Sequence, residues 1–466
     1  MEHVKIYRGN QIGGCVTVIS AVSDGQIHRI MIDYGSSLPG NAAKEDFQYP
    51  WEKEPVDAVF FTHYHGDHVG RMLEIPEDIP LYMGEVARKV MINIHDALAK
   101  RPDMEEAERK KHEDALRLLK NENRILTFKP EGNHYEDINL PGFTIEPYSI
   151  DHSAYDAYMF MIEADDGERP YGRYRVLHTG DFRGHGRRGG IMLPIIDSCI
   201  HRFGSRSVDA LVIEGTMMSR SKEKVKTETE LMIEASRYLH KHKWAFLICS
   251  STNLDSLASF YQAAQFSNRK YGRYMYVYSN YFMEQLDLYT NTAGNFTDIY
   301  KFKKIANLHD LDYDKAYQNE KMTVPMKVRD MMERFGFLAV IKPEDYHEKY
   351  IDMFMDAYQA GRIDEPPVLI WSMWNGYVNK YRTLENGEKI PNKAGNDAWI
   401  DFLDRQRAKG IEINMELHTS GHASVKMLTD VINAVDPQDK IYPMHTECAE
   451  DFKKLKIRAK LKDRIQ

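Results

Sequence analysis

Apolar positions along the chain recur at two spacings. Short runs of buried-strand character, VTVISAV, HRIMIDYG and DAVFFTHYH, come first, and TIEPYSID, AYMFMIEA, YRVLHTGDF and ALVIEGT follow a helical stretch over residues 84–120. The later part of that stretch, MEEAERKKHEDALRLLK, is so charged that it reads as a solvated helix face. From about residue 225 helices (ELMIEASRYLHKH, NLDSLASFYQAAQ) alternate with strands (WAFLICS, YMYVYSN, VLIWSMW). A Gly/Asn/Lys-rich segment, NGYVNKYRTLENGEKIPNKAGN, reads as a connection. A helix, the strand IEINMELHTSG, the helix SVKMLTDVINAV and the strand KIYPMHTE complete the pattern. Strands alternating with helices predict an α/β fold.

A length of 466 residues suggests two or three domains. With 42% hydrophobic and 11% aromatic residues the chain can fill substantial cores, which excludes global disorder. The formal net charge of −8 argues against coating nucleic acid by bulk electrostatics and leaves room only for a local basic groove. Cys15, Cys199, Cys249 and Cys448 form no CxxC pair, so neither a disulfide framework nor a thiolate zinc site is expected. MEHVKIYRGN has no apolar signal-like core, and no run approaches the roughly 18 apolar residues a spanning helix needs. The expectation is a soluble, cytoplasmic protein with no membrane partner.

The chemistry concentrates in FFTHYHGDHVG, residues 60–70. His63 and His65 alternate at the end of an extended segment and can face one point, while Asp67 and His68 lie on the turn beyond and can face a second. Gly66 is expected to permit the tight backbone between them. Imidazole and carboxylate suit Zn²⁺, with Mn²⁺ as the alternative, and two adjacent clusters suggest two ions. Further ligands should lie at other strand ends. His152 follows TIEPYSI, Asp181 follows RVLHTG and His445 follows KIYPM. A carboxylate such as Asp181 can bridge two cations about 3.5–4 Å apart. Singly, each has a structural alternative: a turn cap, a loop hydrogen bond, a buried histidine. Together, in order after H-x-H-x-D-H, they form a ligand set.

The ordered motifs IDYG, THYHGDH, DHS, HTGDF and a late strand-end histidine resemble the metallo-β-lactamase fold. Within it the chain is similar to the β-CASP nucleases, most of all the ribonuclease J group. VIEGT with Glu214, HTSGHAS with His422 and PMHTE with His445 match that family's motifs A, B and C, and SSTNLDSL resembles the start of its inserted domain. The resemblance implies an αββα metallo-β-lactamase sandwich formed by residues 1–220 and 385–466, with an inserted α/β β-CASP domain at 221–384. It departs from the family at Thr446, where the last motif usually has glycine, which puts the local turn in question.

The implied activity is a metal-dependent hydrolase, a ribonuclease cutting RNA phosphodiester bonds by exo- or endonuclease action through a metal-activated water. Asp67 joins the metal site, and His422 contacts a phosphate oxygen or protonates the leaving oxygen. Asp33, in IDYG, holds a ligand histidine by its second nitrogen, and Glu214 supports His422. His418 is either a structural partner or a phosphate contact; His178, His185, His201, His240 and His242 read as structural or surface residues. RGHGRRGG, 183–190, puts three arginines after Asp181, which suits a phosphate backbone or equally a solvated loop. The C-terminal KKLKIRAKLKDR reads as a charged helix face. Histidine at motif C favours RNA, with single-stranded DNA second; a homodimer is compatible with the resemblance. The rival class is a hydrolase of a small ester or thioester on the same fold, against which the inserted domain of about 160 residues argues, since such a substrate needs no long cleft.

Overall fold

The structure, a computed structural model, describes all residues except 39–46, 132–133, 168–171, 203–206, 268–272, 318–324, 384–387 and 393. The chain forms two compact units, one of residues 1–225 with 421–466 and one of residues 226–420.

The first unit is built on two six-stranded sheets. In one, Val4–Tyr7, Val16–Ser23 and Gln26–Ile32 form an antiparallel meander, and Ala58–Phe60, Leu81–Met83 and Ile125–Thr127 add in parallel. In the other, Ile138–Leu140, Phe143–Ile150, Ala157–Asp165 and Arg173–His178 run antiparallel, and Ala210–Glu214 and then Lys440–Met444 extend the sheet in parallel. Side chains alternate between the faces of a strand, and in AYMFMIEAD the buried run AYMFMI is apolar on both faces. Phe160 and Ile162 join Ile19, Ile30, Phe60 and Val212 in one core drawn from both sheets. Met159 and Met161 face the opposite way, into a second core completed by the helices Met192–His201 and Val425–Val435. The central strands of the second sheet are therefore buried on both faces through much of their length, and the site's polar residues come from the strand ends.

The second unit contains a wholly parallel six-stranded sheet in the order Ile305–Asn307, Met275–Val277, Phe337–Val340, Trp244–Ile248, Val368–Trp371, Ile413–Asn414. Its first helix, Glu228–Lys241, starts at a capping box of Thr227 and Glu230. The boundary expected at 384/385 lies outside the described residues. The chain returns to the first unit only at residue 421, which corrects the expected second part of the first domain. Phe402 and Leu403 of the helix Asp397–Ala408 are buried in the second unit's core, and Ile413 pairs with Leu369. The strand expected across IEINMELHTSG is limited to Ile413–Asn414. Among the described residues no helix is long and apolar enough to cross a membrane.

The helices Glu85–Ala99 and Glu106–Leu119 pack together, with Nδ1 of His95 2.9 Å from Nδ1 of His112. Burial first, and the neighbouring His112 second, push the His95 imidazole down to about 4. An unfolded histidine titrates near about 6.5, so the neutral folded form contributes stability that is complete above that pH and is lost as pH falls towards 4. His95→Gln should flatten the acid limb of the unfolding midpoint, measured in urea from pH 7 to pH 4; an unchanged slope would assign that limb to other groups.

Candidate metal centre

Backbone packing places the ligand loop before any side chain does. The N–H groups of Gly14, Tyr34 and Ser36 donate to the carbonyls of Asp67, His68 and Gly66 at 2.9, 2.8 and 3.0 Å. Gly35, in IDYG, is pressed so closely against this loop that a Cβ would fall 1.7 Å from the Asp67 carbonyl oxygen. Gly66 has open space around its Cβ position and begins the short helix Gly66–Val69. The steric requirement expected at Gly66 therefore belongs to Gly35.

The other predicted residues arrive from strand ends. His152 follows Phe143–Ile150, Asp181 follows Arg173–His178 through the left-handed Gly180, and His445 follows Lys440–Met444. Asp33 and His445 themselves hold left-handed backbone, φ 60° and 52°, a conformation such residues keep only where their surroundings over-determine it. Thr446 is accommodated by packing: Gly215 approaches its Cβ, its Oγ1 accepts from the Cys448 N–H at 3.1 Å, and its N–H donates to Gly9.

All seven expected ligands converge. Nε2 of His63 and Nε2 of His152 lie 3.0 and 3.3 Å from Nδ1 of His65. Tetrahedral ligands at a Zn–N distance of about 2.05 Å stand about 3.3 Å apart, so the trio has the spacing of a metal cage. Beside it, Nε2 of His68 lies 3.2 Å from Oδ2 of Asp181, and Nε2 of His445 lies 3.2 Å from Oδ2 of Asp67 and 3.8 Å from Oδ2 of Asp181. Asp181 also shares a possible metal group with His63 and His68, and another with His422 and His445. Its Oδ1 is buried with no hydrogen-bond partner among the described residues. A bare buried carboxylate oxygen among imidazoles fits a cation.

Charge sorts the donors. Burial, reinforced by neighbouring histidines, holds His63 and His152 well below the usual imidazole range, and burial brings His65 to about 4. These three are neutral, with lone pairs free to ligate. Burial works against ionisation of Asp181, but His445 and His68 overcome it and hold the carboxyl well below its ordinary range. Burial likewise opposes protonation of His68, and Asp181, Asp67 and Asp33 raise it regardless. The second cluster is thus a set of compensated charges, where a bound cation would release protons.

Outer contacts orient the rings. Nδ1 of His68 lies 2.8 Å from Oδ2 of Asp33, and Nδ1 of His152 lies 2.8 Å from the carbonyl of Gly421. The Thr62 hydroxyl donates to Oδ2 of Asp33 at 2.8 Å and meets Nδ1 of His63 at 3.0 Å. With Nδ1 engaged, Nε2 of these rings is left to face the centre, whereas His65 turns Nδ1 inward. Thr62 and Thr216 are absent from the sequence reading, where the only signal is a hydroxyl beside a strand-end ligand or acid. Oε2 and Oε1 of Glu214 accept the N–H groups of Thr216 and Ala423, both at 2.9 Å. His422 Nδ1 lies 3.7 Å from Oε2 of Glu214 and 3.5 Å from Oδ2 of Asp181, and the side chain is 23% exposed, against 1–3% for His68 and His445. His178 uses both ring nitrogens internally, with Thr17 and with the Gly180 N–H. His418 falls in the second unit.

The loop 183–190, read as either a phosphate contact or a solvated loop, is partly drawn into the interior. Arg183 is fully buried, its Nε 3.5 Å from Oδ1 of the equally buried Asp151. Arg188 lies over the ring of Tyr155 and donates to Ser149. Two of the three arginines thus bind the loop to its own scaffold.

The two six-stranded sheets carry at their strand ends a histidine–aspartate cluster that could hold metal ions. Residues 14–210 match the family described as the metallo-beta-lactamase superfamily, and the chain carries a domain of that superfamily. Over 95% of its length the chain is similar to a protein of unknown function from Enterococcus faecalis V583, whose crystal structure it covers to 93% with a TM-score of 0.60 and 16% identity. It is also similar, over 45% of this chain and 74% of that one, to MEM-A1, a subclass B3 metallo-beta-lactamase from a soil metagenome library (TM-score 0.26, 15% identity). A third similar structure is BJP-1, a subclass B3 metallo-beta-lactamase of Bradyrhizobium japonicum, over 36% of this chain and 56% of that one (TM-score 0.22, 19% identity). No curated protein matches.

Gly35→Ala should lower stability by about 1–3 kcal/mol or more, as overpacking against backbone does, and should strip metal from the purified protein. Gly66→Ala should keep both stability and metal. Thermal unfolding with elemental analysis reads both; equal behaviour of the two variants would refute the assignment.

Proposed function

We propose that the protein is a dinuclear metal-dependent phosphodiesterase of the β-CASP, ribonuclease J-like type, hydrolysing RNA. The observation that carries this reading is the convergence of seven ligands from four separate strand ends. His63, His65 and His152 would hold one ion and Asp67, His68 and His445 the other, with Asp181 placed to serve both. Zn²⁺ suits the donors. The inserted α/β unit and the grouping of Glu214, His422 and His445 around one centre support a nuclease over a small-molecule hydrolase.

Bound cations supply an activated water and positive charge against the phosphate under attack. The protein's own residues do the rest. Neutral His63, His65 and His152 present fixed lone pairs. Asp33 holds His68 in place, and Asp181 spans both groups. Glu214 binds the backbone at Ala423 and so fixes the segment carrying His422. The ring of His422, more open than His68 and His445, donates a proton to the leaving oxygen.

Metal-loaded protein given end-labelled RNA and DNA of one sequence should cut the RNA, and elemental analysis should give two metal equivalents. His422→Ala should lose about 10²–10⁴-fold in turnover while keeping both metals; His445→Ala should lose metal as well. Equal metal loss in the two variants would make His422 a ligand. Turnover of small esters or thioesters with neither nucleic acid cut would establish the alternative hydrolase.

A further inference from the structure

Thr216 stands two residues past Glu214 and is 3% exposed. Its Oγ1 lies 2.8 Å from Nδ1 of His445 and 3.4 Å from the carbonyl oxygen of the same residue. A hydroxyl has one proton to give, and a carbonyl can only accept. With that proton directed to the carbonyl, Oγ1 meets Nδ1 as an acceptor. His445 then carries a proton on Nδ1, and Nε2, which faces Asp67 and Asp181, is the nitrogen left to give up its proton and ligate when a cation binds. Thr62 repeats the device on the other side of the centre: its proton goes to Asp33, so its oxygen must accept from Nδ1 of His63.

Thr216 also links the two histidines that the proposed chemistry separates. Its own N–H donates to Oε2 of Glu214, whose other oxygen accepts from Ala423, the neighbour of His422. The contact to the His445 carbonyl restrains a residue whose backbone is left-handed.

We propose that Thr216 is a positioning residue of the centre: it fixes the tautomer and ring orientation in which His445 ligates the second metal through Nε2. The proposal rests on the dinuclear reading given above. Loss of such an outer contact typically weakens metal binding by about 10–100-fold.

Thr216→Val keeps the branched shape and deletes the hydroxyl; Thr216→Ser keeps the hydroxyl. Zinc affinity of full-length protein is read by competition with a chromophoric chelator, without nucleic acid, beside the melting temperature of the metal-free form. One of the two sites should weaken about 10–100-fold in Thr216→Val, stay close to wild type in Thr216→Ser, and metal-free melting should be alike in all three. Wild-type affinity at both sites in Thr216→Val, or an equal loss in Thr216→Ser, overturns the proposal and leaves the dinuclear centre standing. A wild type binding fewer than two zinc ions overturns both. If Thr216→Val does not fold, ¹H–¹⁵N spectra of zinc-loaded wild type with labelled histidine decide: a proton on Nδ1 of His445 is expected, and a bare Nδ1 overturns the proposal.

Discussion

The pairing of Lys440–Met444 with Ala210–Glu214 is the constraint on which the first unit depends. These segments are separated by the whole of the second unit, yet they run parallel in register, with Glu214 opposite Met444. That register puts His445 one residue beyond the end of its strand, beside the segment that follows Glu214. A slip of one residue would turn Ile441 out of the core it shares with Leu211 and carry the ring of His445 away from Asp67. The strand that closes the sheet therefore also completes the ligand set.

The centre survives burial because its charges compensate one another. Two carboxylates and five imidazoles, most of them inaccessible to water, would be costly if any were left alone. Asp181 is held ionised by His445 and His68, and although burial opposes it, Asp181 and Asp67 shift those two imidazoles upward in turn. The trio of His63, His65 and His152 avoids the cost differently, by staying neutral. A pair of this kind also rigidifies the scaffold. Asp151 takes the N–H of Gly186 at 2.9 Å on one oxygen and faces Arg183 with the other, and its carbonyl accepts from the Arg183 N–H at 2.7 Å. The glycine-rich loop after Asp181 is thereby tied to the strand end that carries His152.

Much of the site was legible because it depends on local spacing. Alternation along an extended segment decides that His63 and His65 share a side, and a strand end decides where His152, Asp181 and His445 emerge; both follow from backbone geometry within a few residues. What the sequence misplaced had its cause elsewhere in the chain. Three arginines after Asp181 read equally as a phosphate contact or a solvated loop, but Asp151 takes one into the interior. A glycine-rich connection near 385 read as a return to the first domain, but apolar residues beyond it fill the second unit's core.

The sequence by itself determined the donor types, their order and their positions at strand ends, because these are set by composition and by the two-residue period of a strand. Tertiary structure alone decided which nitrogen of each ring faces the centre, that Gly35 and not Gly66 must be glycine, and that Thr216 stands against His445 across a separation of 229 residues. Such contacts depend on how two sheets and their distant strands pack to within an ångström, and no local spacing encodes an approach between segments so far apart.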